Sequence, residues 1–487
     1  MKTLLRSKNF LNTFWNLLDV VIYPVVFLAF TPFFIHHMGE EDFGLWMLIN
    51  SVLISFQLLN FGLGSATQRN VARNMGKEDP EAVYLSINTN LSLAGLLLIL
   101  CLLLGILLAF GVEYGGLFNL ESHLQRKAAW LMIFASALIS IKFFEQILQA
   151  ALKGKEDFKL SSRISLAARF SILASNLAWV ITGFGLTEMI LAQMAIGILY
   201  LFIYLHFVKR SFFGYRLKFE LNKANIREEL TYGIHTWMQS IAVIVTYQMD
   251  RFIVTSFFGL AVLSYYSIAA TMFNHIHMSF NALAPWMLPK VAHMREKGKE
   301  VIALFLSARS FTLLVAISLL LLFYGLSQPL FHLWLGAELY LKIEGFIELF
   351  ILFELFFIFT SPRYYFLNAN GQERLLTKLT FALSGVTLLG MFSGLFLFDS
   401  PEGMLYGLIA GTFVGILLEN YVINKQVLRL NTWKESFLLL VPSILAGIIV
   451  ISTNPMVMLN CSLALVTLCY LLFVRSGEFN LKLLLFG

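Results

Sequence analysis

Residues 83–110 read VYLSINTNLSLAGLLLILCLLLGILLAF, 28 residues without one charged side chain. A helix crosses the hydrocarbon of a bilayer in about 20 mostly apolar residues, so this stretch is read as a membrane span. Working outward, the same reading places spans near 11–35, 43–63, 128–152, 162–183, 187–208, 229–258 and 262–288. Further spans follow near 302–325, 343–367, 376–398, 403–424, 435–452 and 456–474. Composition agrees along the chain: of 487 residues 58% are hydrophobic and 13% charged, where a soluble globular domain carries about 25% charged. Lipid is therefore the solvent for most of the outside, and only structures with internally satisfied backbones survive there. The expectation is an all-α integral membrane protein with about 14 transmembrane helices.

Charge counting tests that assignment independently, because cytoplasmic loops of membrane proteins are enriched in Lys and Arg. With the N-terminus inside, 28 of the 35 Lys and Arg residues fall in cytoplasmic segments or, like Arg163, Arg363 and Lys378, at the cytoplasmic end of a span. The outside loops, of which the longest is expected near 326–342, hold only Arg126, Lys127 and Lys342. Lys142, Arg169, Arg251 and Arg309 lie deeper within spans. Both termini are thus predicted cytoplasmic. The net charge of +6 comes from residues spaced between apolar runs rather than gathered on a patch, which argues against a nucleic-acid partner. Lys2, Arg6 and Lys8 before an apolar run resemble a secretory leader, but Asn12, Asn16 and Asp19 interrupt the run and no small-x-small cleavage site follows. It is read as a retained first span. Cys101, Cys461 and Cys469 all lie in apolar runs, at no metal-ligand spacing.

Sliding the chain against itself by 220 residues sets Gly39, Phe43, Gly44 and Leu45 opposite Gly259, Leu263, Ser264 and Tyr265, and Val71-Ala72 opposite Val291-Ala292. Lys153-Gly154-Lys155-Glu156 matches Asn370-Gly371-Gln372-Glu373 at a shift of 217. The repeat holds six spans, an even number, so both copies have one orientation. Parallel repeats of this kind place a substrate site between them in transporters. The expected organisation is two parallel six-helix repeats plus two C-terminal helices. These are an N-terminal bundle (1–208), a basic cytoplasmic linker (209–228), a C-terminal bundle (229–428) and an extra helix pair with tail (429–487).

The stretches Gly39-Glu40-Glu41-Asp42-Phe43-Gly44-Leu45-Trp46, Asn60-Phe61-Gly62-Leu63-Gly64-Ser65-Ala66 and Asn368-Ala369-Asn370-Gly371 resemble the polysaccharide flippases of the multidrug/oligosaccharidyl-lipid/polysaccharide exporter superfamily. The resemblance covers essentially the whole chain and implies a multi-pass transporter of the bacterial inner membrane. Its implied cargo is a polyprenyl-pyrophosphate-linked oligosaccharide, moved to the outer leaflet by alternating access for surface polysaccharide such as lipopolysaccharide O-antigen or exopolysaccharide. Implied partners are that lipid-linked oligosaccharide, membrane lipid, and a glycan polymerase with other polysaccharide-assembly proteins. The same superfamily includes cation-coupled multidrug and metabolite exporters, usually with twelve spans; the additional pair here leans towards the lipid-linked branch.

Charged groups at mid-bilayer cost at least about 2.5–3.5 kcal/mol on insertion scales, so they seldom face lipid. Asn12, Asn16, Asp19 and Tyr23 form one stripe on the first span, and His235, Gln239, Thr246 and Asp250 a similar one on the first span of the second repeat. Two roles fit both stripes: lining a cavity, or hydrogen bonding between helices of one bundle. Asp19 and Asp250 are candidates for ion coupling. Arg309, Arg169, Lys142 and Arg251 are candidate contacts for a pyrophosphate, because guanidinium makes a planar two-point contact with its oxygens. Glu145 three residues after Lys142, and Asp250 beside Arg251, offer those two cations a neighbour instead. Gln57, Asn60 and Gln68 suit sugar hydroxyls, while His277 and Asn281, which form a stripe with Asn274, suit hydrogen bonds to neighbouring helices or to sugar hydroxyls. The intramembrane acids Glu348, Glu354 and Glu419 have no evident partner in the sequence. A phosphate-binding glycine loop, an H-E-x-x-H zinc site and a nucleophile elbow are all missing, so a transporter without cofactor, rather than an enzyme, is expected.

Overall fold

The computed structural model describes residues 26–221, 223–281, 284, 287–296, 301–451 and 455–475. No strand occurs among them. The helices are α1 (Val26–Met38), α2 (Glu40–Phe56), α3 (Leu63–Gly76), α4 (Pro80–Glu113), α5 (Ser122–Gly154), α6 (Phe158–Ile181), α7 (Leu186–Ser211) and α8 (Lys223–Asn281). Then follow α9 (Met287–Glu296), α10 (Ile302–Leu335), α11 (Ala337–Phe357), α12 (Thr360–Ala369), α13 (Glu373–Phe398), α14 (Pro401–Ile423), α15 (Thr432–Ile451) and α16 (Pro455–Arg475). Nine helical stretches among the described residues are long and apolar enough to cross a membrane. One of the others, α11, carries Glu338, Lys342, Glu344, Glu348 and Glu354 along an otherwise apolar helix. The fold is an all-α membrane fold, as the hydropathy predicts.

Local chemistry starts these helices where charge and turn residues fall. Asp79 caps α4 by accepting from the Ala82 amide at 3.0 Å, with Pro80 at the first helical position. Asp157 does the same for α6 through Leu160, and Ser400 for α14 through Gly403, again followed by a proline. On α4, Ile99, Leu103, Leu107 and Phe110 lie along one face and stay more than half exposed. An apolar strip of that size is stable only against lipid.

The repeat is visible in the order and length of the elements. Helices α4 and α10 both have 34 residues. The 33 residues of α5 correspond to α11 and α12 together, 337–369, interrupted after Phe357. Pro362 explains the interruption, since it lacks the N–H that would reach the Ile358 carbonyl in a continuous helix. Val71 and Val291, opposite each other in the 220-residue shift, are both fully buried, in the α3–α4–α5 core and the α9–α10–α12–α13 core respectively. Two sequence expectations change. The spans at 229–258 and 262–288 meet within α8, which turns at Gly259 rather than ending in a loop. The loop expected near 326–342 is largely helix, because α10 runs on through Pro329 to Leu335 and only Gly336 separates it from α11.

The chain divides into two compact units, Met1–Ile244 with Arg251–Ser264, and Val245–Asp250 with Tyr265–Gly487. In the first, the basic segment after α7 lies extended along α4. Asn88 donates to the Arg216 carbonyl at 3.0 Å and accepts from the Lys218 amide at 3.3 Å, while Ser92 accepts from the Glu220 amide at 2.8 Å. Tyr215 donates to the same Asn88 carboxamide at 2.8 Å. Burial pushes the Tyr215 phenol well above its usual value, so it remains a neutral donor. In the second unit, α13 and α14 touch backbone to backbone through Gly390, Gly394, Gly403, Gly407 and Gly411.

Candidate functional site

The first unit contains a cavity of about 290 Å³ lined by Asn60, Gln68, Gln146, Gln149, Lys153 and Trp237, with Gly64 and Ser65 completing its wall. The local fold explains this convergence. Phe61 and Gly62 both take left-handed torsions, φ 47° and 73°, and turn the chain sharply between the 3₁₀ turn Gln57–Asn60 and α3. Asn60 holds that turn from both sides, accepting from the Gly62 amide at 2.8 Å and donating to Gln146 Oε1 at 3.2 Å. Gln146, Gln149 and Lys153 sit at i, i+3 and i+7 on the last turns of α5, hence on one face. Gly154 lets that end of α5 close onto α3, since a Cβ there would lie 2.8 Å from the Gln68 carbonyl. The indole of Trp237 lies tilted by 40° against the Phe61 ring, centroids 5.0 Å apart, and donates to the Leu58 carbonyl.

The second unit buries a cluster of titratable groups. His277 Nδ1 lies 2.7 Å from Glu354 Oε1, with side chains 6% and 1% exposed. The imidazole also meets the ring of Phe357 at 4.8 Å and that of Tyr247 at 6.1 Å. Tyr266 donates to Asp250 Oδ2 at 2.7 Å, and Thr246 and Ser384 share a hydrogen bond at 2.9 Å. Asp250, Asn274, His277 and Glu354 border one void of about 10 Å³, room for no more than about one water. Such a pair can exchange a proton between imidazole and carboxylate without exposing either to lipid.

A sequence profile described as "Polysaccharide biosynthesis protein" matches residues 38–341. The chain belongs to the polysaccharide biosynthesis protein family. The fold of this polysaccharide biosynthesis protein is similar to that of the lipid II flippase MurJ in an inward closed conformation, with a TM-score of 0.70 and 15% identity over 96% of this chain and 99% of that one. It is also similar to an inward-facing multidrug resistance MATE family transporter of the MOP superfamily, at a TM-score of 0.62 and 14% identity over 87% of this chain and 96% of that one. A MOP superfamily transporter from Pyrococcus furiosus aligns with a TM-score of 0.52 and 16% identity over 84% of this chain and 92% of that one. Comparison with curated proteins gives no match. The polysaccharide biosynthesis protein therefore has the all-α membrane transporter fold shared by flippases and MATE exporters.

Several residues singled out in the sequence meet specific partners. Lys142 pairs with Glu145 at 2.6 Å on α5. Arg309, on α10, pairs with Glu435 on α15 at 2.7 Å, both nearly inaccessible, and its guanidinium lies 5.7 Å from the Phe305 ring centroid. Arg251 is buried and Arg169 half-buried on α6. Asp250 and His277 join the buried cluster, whereas Asn281 ends α8 and Gln57 is exposed. Asn12, Asn16 and Asp19 lie outside the described residues, and so do the side chains of His235 and Gln239 on α8. The intramembrane acids find partners that the sequence left open. Glu419 pairs with Arg363, which counts in the sequence as a cytoplasmic-end cation and is in fact 7% exposed. Glu348 accepts from Tyr324 at 3.0 Å. The signal that could have found them is the cost of a lone charge in an apolar helix, which demands a partner on a neighbouring one. Gln146 and Gln149 were legible as carboxamides at helical spacing on an apolar helix.

Proposed function

We propose that this protein is a flippase that moves a polyprenyl-pyrophosphate-linked oligosaccharide from the cytoplasmic to the outer leaflet of the bacterial inner membrane, by alternating access, for surface polysaccharide synthesis. The observation that carries this reading is the polysaccharide biosynthesis profile over residues 38–341, on a fold shared with a lipid II flippase along 96% of the chain. The physics favours the direction. A negative headgroup leaving a cell with a negative interior gains about 2.3 kcal/mol per charge for each 100 mV.

In this reading the chain works as a carrier without chemistry of its own, with both termini in the cytoplasm and the glycan polymerase as a downstream partner. Arg169, Arg251, Lys142 and Arg309 are the proposed cationic contacts of the headgroup. Ion coupling, where it operates, is assigned to Asp19 and to the Asp250 and His277–Glu354 cluster. A cation-coupled multidrug or metabolite exporter is the second reading, supported by the likeness to a MATE family transporter.

Mass spectrometry of lipid-linked oligosaccharides after depletion of the protein in its host tests the proposal. Accumulation of a complete polyprenyl-pyrophosphate glycan with loss of surface polysaccharide is the expected result. An unchanged lipid pool with intact surface glycan would refute the flippase and favour the exporter.

A further inference from the structure

The cavity of the first unit has a lining that discriminates between ligand classes. Of the seven polar side chains that line it among the described residues, four are carboxamides, those of Asn60, Gln68, Gln146 and Gln149. Each carboxamide both donates and accepts, which matches a sugar hydroxyl, itself donor and acceptor. The remaining three are the hydroxyl of Ser65, the amine of Lys153 and the indole of Trp237. Among the described residues no carboxylate lines the cavity, which disfavours a cationic drug, and a single amine is a poor match for a diphosphate, which takes several cations or guanidinium forks. An acyl or prenyl chain would leave the carboxamides unsatisfied in a dry site.

The geometry is prepared in advance. The tilted ring contact with Phe61 and the hydrogen bond to the Leu58 carbonyl fix the indole before any ligand arrives, which lowers the ordering cost of binding. An indole face held in this way accepts the C–H face of a pyranose. Among the described residues Gln68 and Gln149 have no side-chain partner, so their hydrogen-bonding capacity is unspent. The rise from Gln146 to Lys153 is about 10 Å along the α5 axis, the length of one to two sugar rings, and the volume of about 290 Å³ agrees with that.

We infer that this cavity is a carbohydrate subsite that takes a neutral pyranose, seated on Trp237 and hydrogen-bonded by Gln68, Gln146 and Gln149. It lies at the end of the unit where α3 carries Arg69 and Arg73 and α5 ends in Lys153, the face read as cytoplasmic. There it selects the glycan before transport. The biological identity of the ligand rests on the flippase reading; the binding chemistry is local to the cavity.

The test uses the full chain in lipid nanodiscs and saturation-transfer NMR with free glucose and free N-acetylglucosamine, and with inorganic pyrophosphate as competitor. At least one sugar is expected to receive saturation, with apparent affinity about tenfold weaker in Gln149→Ala and in Gln68→Ala at unchanged melting temperature. Pyrophosphate is expected to leave the sugar signal intact. No transfer to either sugar, transfer unchanged in both variants, or displacement by pyrophosphate would overturn the subsite. Sugar binding lost in the variants, together with an unchanged lipid-linked pool on depletion, would keep the subsite and remove the flippase reading. An accumulating pool without sugar binding would remove the subsite alone.

Discussion

Gly39 and Gly259, 220 residues apart in the chain, hold one backbone conformation, φ 80° and ψ 166° in the first and φ 83° and ψ −179° in the second. That region is open essentially to glycine alone. Gly39 joins α1 to α2, and Gly259 is the turn inside α8, so the repeat preserves the corner as well as the helices. Gly336 between α10 and α11 uses it again, at φ 81° and ψ 163°.

Replacing Gly259 with alanine is expected to cost about 1–3 kcal/mol, although no atom lies within 4 Å of the added Cβ. The penalty is torsional. Gly345→Ala on α11, equally open, should instead be neutral or stabilise by up to about 1 kcal/mol. Thermal unfolding in detergent separates the two; equal melting temperatures would contradict the torsional argument.

Gly407 on α14 should tolerate no side chain for a different reason. A Cβ there would lie 2.0 Å from the Gly390 carbonyl oxygen, backbone that cannot swing aside. Gly407→Ala is expected to force α13 and α14 apart at a cost of about 1–3 kcal/mol, read as a lower melting temperature and lower yield in the membrane.

The Arg363–Glu419 pair invites a double-mutant cycle. Arg363→Met or Glu419→Leu alone leaves one buried charge behind and should cost about 3–5 kcal/mol, while the double variant should recover much of that loss. Additive losses would mean that the two groups act independently.

For Arg309 the pairing with Glu435 makes a discriminating prediction. If the guanidinium serves to anchor α15, Arg309→Ala and Glu435→Ala should lower stability alike and impair export to the same degree. If it contacts a headgroup, Glu435→Gln should keep export while Arg309→Gln abolishes it. Surface polysaccharide measured at matched protein level distinguishes the cases.

At His277–Glu354, Glu354→Ala should be strongly destabilising, by about 3–5 kcal/mol, since it strands a buried partner. Glu354→Gln keeps an acceptor for the imidazole and should fold. Should the pair carry a transported proton, export by that variant will no longer respond to a change in external pH. A response like that of the wild type would leave the pair a structural one.

The sequence by itself determined the membrane class and the repeat. The membrane class depends on a quantity that every residue contributes to, transfer from water to lipid, so residues such as Leu103 and Leu107 read correctly one at a time. The 220-residue shift placed Val71 against Val291 and Gly39 against Gly259 because equivalent positions meet equivalent constraints of burial and torsion. What only the tertiary structure decided is which polar groups meet. Glu354 with His277 and Glu419 with Arg363 are 77 and 56 residues apart in sequence, on different helices, and no periodicity within one helix encodes a partner on another. The cavity followed the same rule. Asn60 and Gln68 were visible as polar residues, but they came to line one cavity only when the left-handed turn at Phe61 and the close approach at Gly154 brought Gln146, Gln149 and Trp237 beside them. Hydropathy is a sum over single residues and survives without coordinates; a binding site is a set of distances between residues far apart in the chain, and only packing fixes those.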